Sequence, residues 1–220
     1  NVYFTGQTGT NVKYILNNGS ATPFSDSSQE VSTRTNIPMR DIDLGDVNGD
    51  KHIDIVVAGG SNSGAESYLF LNNGSSTPFN SSTTATLISN DIEESYSIRL
   101  LDADNDGDLD AFVGSQHGTL SYYRNTQFDA VTPCIGLVAD NPLSVVEVAS
   151  IPTPRFADVD DDGDLDAFVG SYGGAITYYR NTEIDVDAPG TGFIADAAAN
   201  PFTGLDFGNS ARIDFADIDQ

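Results

Sequence analysis

The chain has 220 residues and 39% hydrophobic content, enough for a sizeable core in one large domain or two small ones. Nine Lys and Arg stand against 33 Asp and Glu, a formal net charge of −24. Nucleic acid and anionic membranes are excluded as partners, because so few cations build no basic patch to meet them. Membrane insertion is excluded too, because no run approaches the ~18–20 apolar residues of a membrane span.

The acidic residues are clustered, with β-branched and aromatic residues between the clusters, unlike a disordered acidic tail. The single cysteine, Cys134, supports neither a disulfide framework nor a thiolate zinc site. It reads as a small, buried or partly buried apolar residue. Lack of disulfides does not imply the cytosol, since calcium can take their place in proteins of the bacterial surface. No signal peptide is read, and Asn1 is not an initiator methionine, so the expectation is a processed, excised or partial chain.

In chain order the sequence is a repeat. KYILNNGSATPF (13–24) comes first, then DVNGDKHID from Asp46 and YLFLNNGSSTPF (68–79). DADNDGDLD from Asp102 leads to SYYRNT (121–126), and DVDDDGDLD from Asp158 leads to TYYRNT (177–182). The three acidic loops start 56 residues apart, and FADID opens a fourth at Asp217 and Asp219. The units are 1–40, 41–96, 97–153 and 154–211, with 212–220 starting a further one. The first two share an NNGSxTPF turn; the last two share YYRNT followed by ADNPL (139–143) or AANPF (198–202).

Asn1-Val2-Tyr3-Phe4-Thr5-Gly6 aligns with Leu165–Gly170. The chain therefore starts just after one loop and stops inside another, so head-to-tail copies would nearly complete a unit.

Within a unit every signal is β. DIVVA (54–58) and DAFVG (110–114, 166–170) are short, β-rich and bounded by glycine. LSYYR (120–124) and ITYYR (176–180) follow after a glycine-containing turn, as in a hairpin. No segment sustains a 3.6-residue period with caps. The expected fold is all-β: about four repeats of roughly 55 residues, each with four short antiparallel strands, the size of a propeller blade.

The loops carry the chemistry. Oxygen side chains at alternate positions suit a hard cation taking six to eight oxygen ligands at roughly 2.3–2.6 Å. The candidate ligands are Asp46, Asn48, Asp50, His52 and Asp54; Asp102, Asp104, Asp106, Asp108 and Asp110; Asp158, Asp160, Asp162, Asp164 and Asp166; and Asp217 with Asp219. Gly107 and Gly163 permit the turn at position 6; the first loop has Gly49 at position 4 and Lys51 at position 6. Position 7 ligates through its carbonyl, so His52 can stand there without using its ring. An EF-hand needs a Glu at position 12 and flanking helices, whereas Val113 and Val169 occupy that position. The ninth-position aspartate must close the site instead. Magnesium fits less well, since it prefers a rigid octahedron and keeps its waters. Asx-turns without metal are the alternative; three copies at constant spacing argue against them. The three loops hold three, five and six acidic residues, so about three structural Ca²⁺, one per complete loop, would offset much of their repulsion.

DVNGDKHIDIVVAGG and DADNDGDLDAFVGS resemble FG-GAP/VCBS repeats, the blades also found in the integrin α-subunit head. LGDVNGD, YLFLNNGSSTPF and FADVDDDGDLDAFVG look like the VCBS-type repeats of large bacterial surface proteins. The resemblance covers essentially the whole chain. It implies a calcium-stabilised β-propeller, extracellular or on the cell surface, with the loop residues above as ligands. Two departures stand out. Val2 replaces the ninth-position aspartate of the first unit, and family propellers usually have about seven blades where this chain has about four units.

Nothing near the loops looks like a nucleophile or base. His52 and His117 are isolated, and the paired carboxylates are committed to the loops, so a glycosidase has no specific support. Tyr122, Tyr123, Tyr178 and Tyr179 read as packing between units, with sugar stacking as the alternative. Arg124 and Arg180 read as partners of nearby carboxylates. Asn18, Asn73 and Asn80 head N-x-[ST] sequons, candidate glycosylation sites in exposed turns. The expected function is a non-enzymatic, calcium-stabilised structural or adhesive module whose partners are neighbouring repeats, other copies, glycans or a surface protein. The alternatives are a lectin-like propeller and the propeller domain of a polysaccharide lyase. An open stack of units exposes two faces, and head-to-tail contact between copies would give a ring or filament.

Overall fold

The structure is a computed structural model. It describes residues 13–15, 20–21, 29–30, 39–59, 66–80, 83–89, 94–125, 148, 150–182 and 192–215. The readings of Cys134, Asn18, Asp217 and Asp219 lie outside these residues.

Among the described residues every regular element is a strand. Strands β1 (Lys13–Tyr14) and β2 (Gln29–Glu30) form a two-stranded antiparallel ladder. Strands β3 (Met39–Gly45), β4 (Asp54–Gly59), β5 (Ser67–Phe70) and β6 (Ala85–Ser89) form a four-stranded antiparallel meander. A second sheet holds β7 (Ser95–Leu101), β8 (Asp110–Ser115) and β9 (Leu120–Tyr123). A third holds β10 (Thr153–Ala157), β11 (Asp166–Gly170), β12 (Ile176–Asn181) and β13 (Phe193–Ala195). Each acidic loop is the turn between the first two strands of a sheet. A register shift recurs at the same place in successive sheets, at Met39/Asp41 and Ser95/Ser97.

The second strand of each sheet is buried along its whole length, because its two faces feed two different cores. Ala111 and Val113 pack with Val56, Ala58, Leu69 and Ile88 of the sheet before. Phe112, one residue out of phase, packs with Ala167, Val169, Tyr179 and Phe193 of the sheet after. Period-two alternation sends successive side chains to opposite faces, so strands of this kind read as continuous apolar runs. Phe112 meets Tyr122 at 5.0 Å and Phe156 at 4.7 Å between ring centroids. Burying one such aromatic fully contributes about 1.5–3 kcal/mol.

The first strands stand side by side across the sheets. Here β3 presents Asp41 and Asp43 to the edge of β7. The Ile98 and Leu100 amides donate to them at 3.3 and 2.9 Å, and Arg99 pairs with Asp41 at 2.7 Å. An edge strand leaves unpaired backbone groups, and these carboxylates satisfy two of them. Further along, Ser97 Oγ donates to the Pro152 carbonyl at 2.5 Å, and Thr153 Oγ1 to the Ala211 carbonyl at 3.0 Å. The seam therefore repeats from sheet to sheet.

Candidate metal loops

The loops fold by the same local rule. In each, one oxygen of the first aspartate accepts the amide of position 6: Asp46 from Lys51 at 2.7 Å, Asp102 from Gly107 at 3.0 Å, Asp158 from Gly163 at 3.1 Å. One oxygen of the fifth position accepts the amide of position 7: Asp50 from His52 at 2.8 Å, Asp106 from Asp108 at 3.0 Å, Asp162 from Asp164 at 3.0 Å. These Asx-type bonds bend the chain; in the first loop the second oxygens are engaged within the loop as well, Asp46 Oδ1 by the Asp50 amide and Asp50 Oδ2 by Asn48.

Two residues per loop take positive φ. Position 6 does so at Lys51 (70°), Gly107 (95°) and Gly163 (98°), and position 4 at Gly49 (69°), Asn105 (57°) and Asp161 (59°). Gly, Asn and Asp are the residues that visit this region most readily. Sequence reasoning found the position-6 requirement and missed the one at position 4. Its signal was the Gly/Asn/Asp set at that position.

The structure brings Asp102, Asp104 and Asp106 together, and likewise Asp158, Asp160 and Asp162. In each set one oxygen per residue lies within 4.8 Å of the others. Ligands about 2.4 Å from a common centre are at most about 4.8 Å apart, so each set is close enough to share one ion. In the first loop Asn48 takes the middle place, donating to Asp50 Oδ2 at 3.1 Å. The His52 ring stands 3.1 Å from Asp50 Oδ1.

The ninth-position aspartates stand apart from these clusters and are wired into the sheet. Asp54, Asp110 and Asp166 have no exposed surface. Asp54 accepts the Val47 amide at 3.0 Å and the Asn72 amide at 2.8 Å. Asp110 accepts the Ala103 amide at 3.2 Å, the Asn125 amide at 2.7 Å and the Tyr122 hydroxyl at 2.8 Å. Asp166 accepts the Asn181 amide and the Tyr178 hydroxyl, both at 2.8 Å. A carboxylate oxygen carries two lone pairs, so these bonds leave acceptor capacity on each.

A divalent cation fits the donor set. In the second loop Asp102 Oδ1, Asp104 Oδ2 and Asp108 Oδ1 are buried and accept no hydrogen bond. Orphaned buried carboxylate oxygens are costly. Without a cation, burial drives the carboxyls toward protonation: Asp110 is pushed up to about 7 and Asp54 to about 6. Asp104 and Asp108 are raised as well, by burial first and by their carboxylate neighbours second. A bound cation would reverse that logic.

The other candidates fall into place around the loops. Tyr122, Tyr178 and Tyr179 are buried in the cores, and Tyr123 packs against the core between the first two full sheets. Arg124 pairs with Asp104 and Asp106, and Arg180 with Asp160. Asn105 of the second loop donates to Asp164 of the third at 3.4 Å, so adjacent loops touch. The Asn73 side chain is bound into its own turn, donating to the Thr77 carbonyl and accepting the Ser75 amide. The Asn80 amide donates to Thr83 Oγ1.

No curated protein and no solved structure matches the chain. Residues 46–113, from the first acidic loop into β8, match the model of the FG-GAP-like repeat. Over that segment, less than half of the chain, the sequence is similar to the FG-GAP-like repeat.

Proposed function

We propose that this chain is a calcium-stabilised, β-propeller-type repeat module that works outside the cell as a structural or adhesive element, without catalysis. The observation that carries the reading is the pair of buried oxygens, Asp102 Oδ1 and Asp108 Oδ1, that accept no hydrogen bond, in a loop whose ninth residue is bonded into the core. Bound calcium supplies positive charge and crosslinks oxygen ligands. Asp46, Asn48 and Asp50 would hold one ion; Asp102, Asp104 and Asp106 a second; Asp158, Asp160 and Asp162 a third. The position-7 carbonyls would add to each set, and the ninth-position carboxylates, which stand apart from the clusters, would have to move toward the ion to join it. The chain's own contribution is to fix the loop backbone and to link the ninth aspartate to the amides of Asn72, Asn125 and Asn181.

Blade-on-blade stacking is supported by the third sheet's outer face. Phe168 there packs with Tyr178 at 4.8 Å and with Phe215 at 5.1 Å. That repeats how Phe112 receives Tyr122 and Phe156. Beside it lies a groove of about 500 Å³ lined by Phe168, Tyr178, Phe202 and Phe215 among others. We read this face as the seat of a further repeat, supplied by the same polypeptide or by another copy.

Sedimentation of the chain in calcium and in EDTA tests the assembly part. Calcium-dependent polymers or ordered oligomers support it; a monomer in both buffers contradicts self-assembly. Turnover of an acidic polysaccharide by the isolated chain would overturn the non-enzymatic reading.

A further inference from the structure

At the end of the second strand after each acidic loop (β5, β9 and β12) stands a residue whose identity differs between units, and in the second and third units it reaches the loop. Register aligns Leu69, Tyr122 and Tyr178 opposite Val56, Phe112 and Phe168. Two residues later stand Leu71, Arg124 and Arg180. The loop with three acidic residues has the leucine, and the loops with five and six have the arginines. Arg124 Nε lies 2.5 Å from Asp104 Oδ2, with side-chain exposures of 16% and 0%. The contact lacks hydrogen-bond geometry, and no hydrogen bond reaches Asp104 Oδ2. The Arg124 Nη2 atom lies 3.5 Å from Asp106 Oδ2. Arg180 Nη1 stands 3.7 Å from Asp160 Oδ2 and is half exposed.

A guanidinium beside the third and fifth ligand positions has the charge of the expected ion but not its coordination. We propose that Arg124, and more weakly Arg180, are resident counter-ions of their loops: they hold the carboxylates together when no divalent ion is bound and lower the loop's affinity for one. The proposal rests on the calcium reading above. Its logic is Coulombic. A fixed cation a few ångströms from an entering cation opposes it, and the opposition grows with burial. Arg124, the more buried of the two, therefore has the larger effect. Where Leu71 stands, the loop has fewer carboxylates to hold together, and its own lysine, Lys51, is exposed.

The test compares the full chain with Arg124→Leu, which copies the residue of the first unit, and with Leu71→Arg, the reverse change. Calcium binding is read by titration calorimetry after metal removal, and stability by thermal melting in EDTA. Arg124→Leu should melt lower in EDTA yet bind calcium about tenfold more tightly at one site, the ratio that about 1.4 kcal/mol of relieved repulsion gives. Leu71→Arg should weaken one site. Arg124→Lys, which keeps a charge without the planar fork, should fall between wild type and Arg124→Leu in affinity. An arginine that only packs would lower stability and affinity together, and unchanged or weaker calcium binding in Arg124→Leu overturns the proposal. Should Arg124→Leu not fold, unchanged affinity in Leu71→Arg and Arg124→Lys overturns it equally. No binding heat from wild type in millimolar calcium overturns the calcium reading itself, a different outcome from equal heats in wild type and variants.

Discussion

The Tyr122 hydroxyl donates a 2.8 Å hydrogen bond to Asp110 Oδ2, with both residues buried, and Tyr178 repeats it on Asp166 at the same distance. A strand in one hairpin arm thus clamps the residue that closes the acidic loop. Burial and the facing carboxylate raise both phenols, so each hydroxyl stays a donor at neutral pH. In the first full sheet Leu69 takes the tyrosine's place, and among the described residues Asp54 has two backbone donors. Tyr122→Phe should cost about 0.5–1.5 kcal/mol, the net value of one such bond, and leave calcium stoichiometry unchanged. Loss of a bound ion in that variant would place the hydroxyl in the metal site instead.

Removing the aspartate itself is a larger lesion. Asp110→Ala strands the Ala103 and Asn125 amides and the Tyr122 hydroxyl in a buried site. Each unsatisfied buried group costs about 1–3 kcal/mol. The variant should melt well below wild type in EDTA as well as in calcium, and should bind one ion fewer. Asp166→Ala should behave alike. A variant that keeps every ion would show that the ninth carboxylate serves the sheet alone.

Much of this was legible in the sequence. The period, the all-β character, the hairpins and the acidic turns follow from glycine-bounded apolar runs and alternating aspartates, which are local signals. The double duty of Asp54, Asp110 and Asp166 was not legible. Their partners Asn72, Asn125 and Asn181 lie 15–18 residues away, and no local pattern announces an amide of a later strand. The two faces of β8 were hidden for a related reason. A continuous apolar run such as DAFVG does not say that alanine and valine turn to one neighbour while phenylalanine turns to the other.

Lys51 exposes a local conflict. It holds φ at 70° at position 6, where the other two loops have glycine. A left-handed conformation costs a residue with a Cβ about 1–2 kcal/mol. Lys51→Gly should therefore stabilise the protein by about 1 kcal/mol in calorimetry. A destabilised variant would mean that the lysine side chain holds the loop by contacts that outweigh the strain.

The seam between sheets predicts a strict glycine. A Cβ on Gly114 would run into the Pro152 carbonyl and Ser97 Oγ, and one on Gly170 into the Ala211 carbonyl and Thr153 Oγ1. The obstructing carbonyls are backbone and cannot rotate away. Gly114→Ala should cost at least about 2–3 kcal/mol, measured as a drop in unfolding free energy. Wild-type stability in that variant would contradict the close approach of the sheets.

Proton linkage gives a signed test. Burial raises Asp54 to about 6 and Asp110 to about 7, above the ordinary 3.8. Between those limits the folded chain holds protons that the unfolded chain has released. In metal-free buffer stability should therefore be highest near pH 4 and fall as pH rises to about 7. Bound calcium favours the charged carboxylates and should flatten the slope. Melting curves across this window, with and without calcium, check both statements; a metal-free protein that gains stability toward pH 7 contradicts the account.

The most direct test of the central claim is thermal unfolding of the full chain in millimolar calcium and in EDTA, with the bound ions counted by calorimetric titration. The account predicts about three ions, one for each of the loops 46–54, 102–110 and 158–166, and a melting temperature that drops sharply when they are removed. An identical melt in both buffers, with no ion bound, would contradict it.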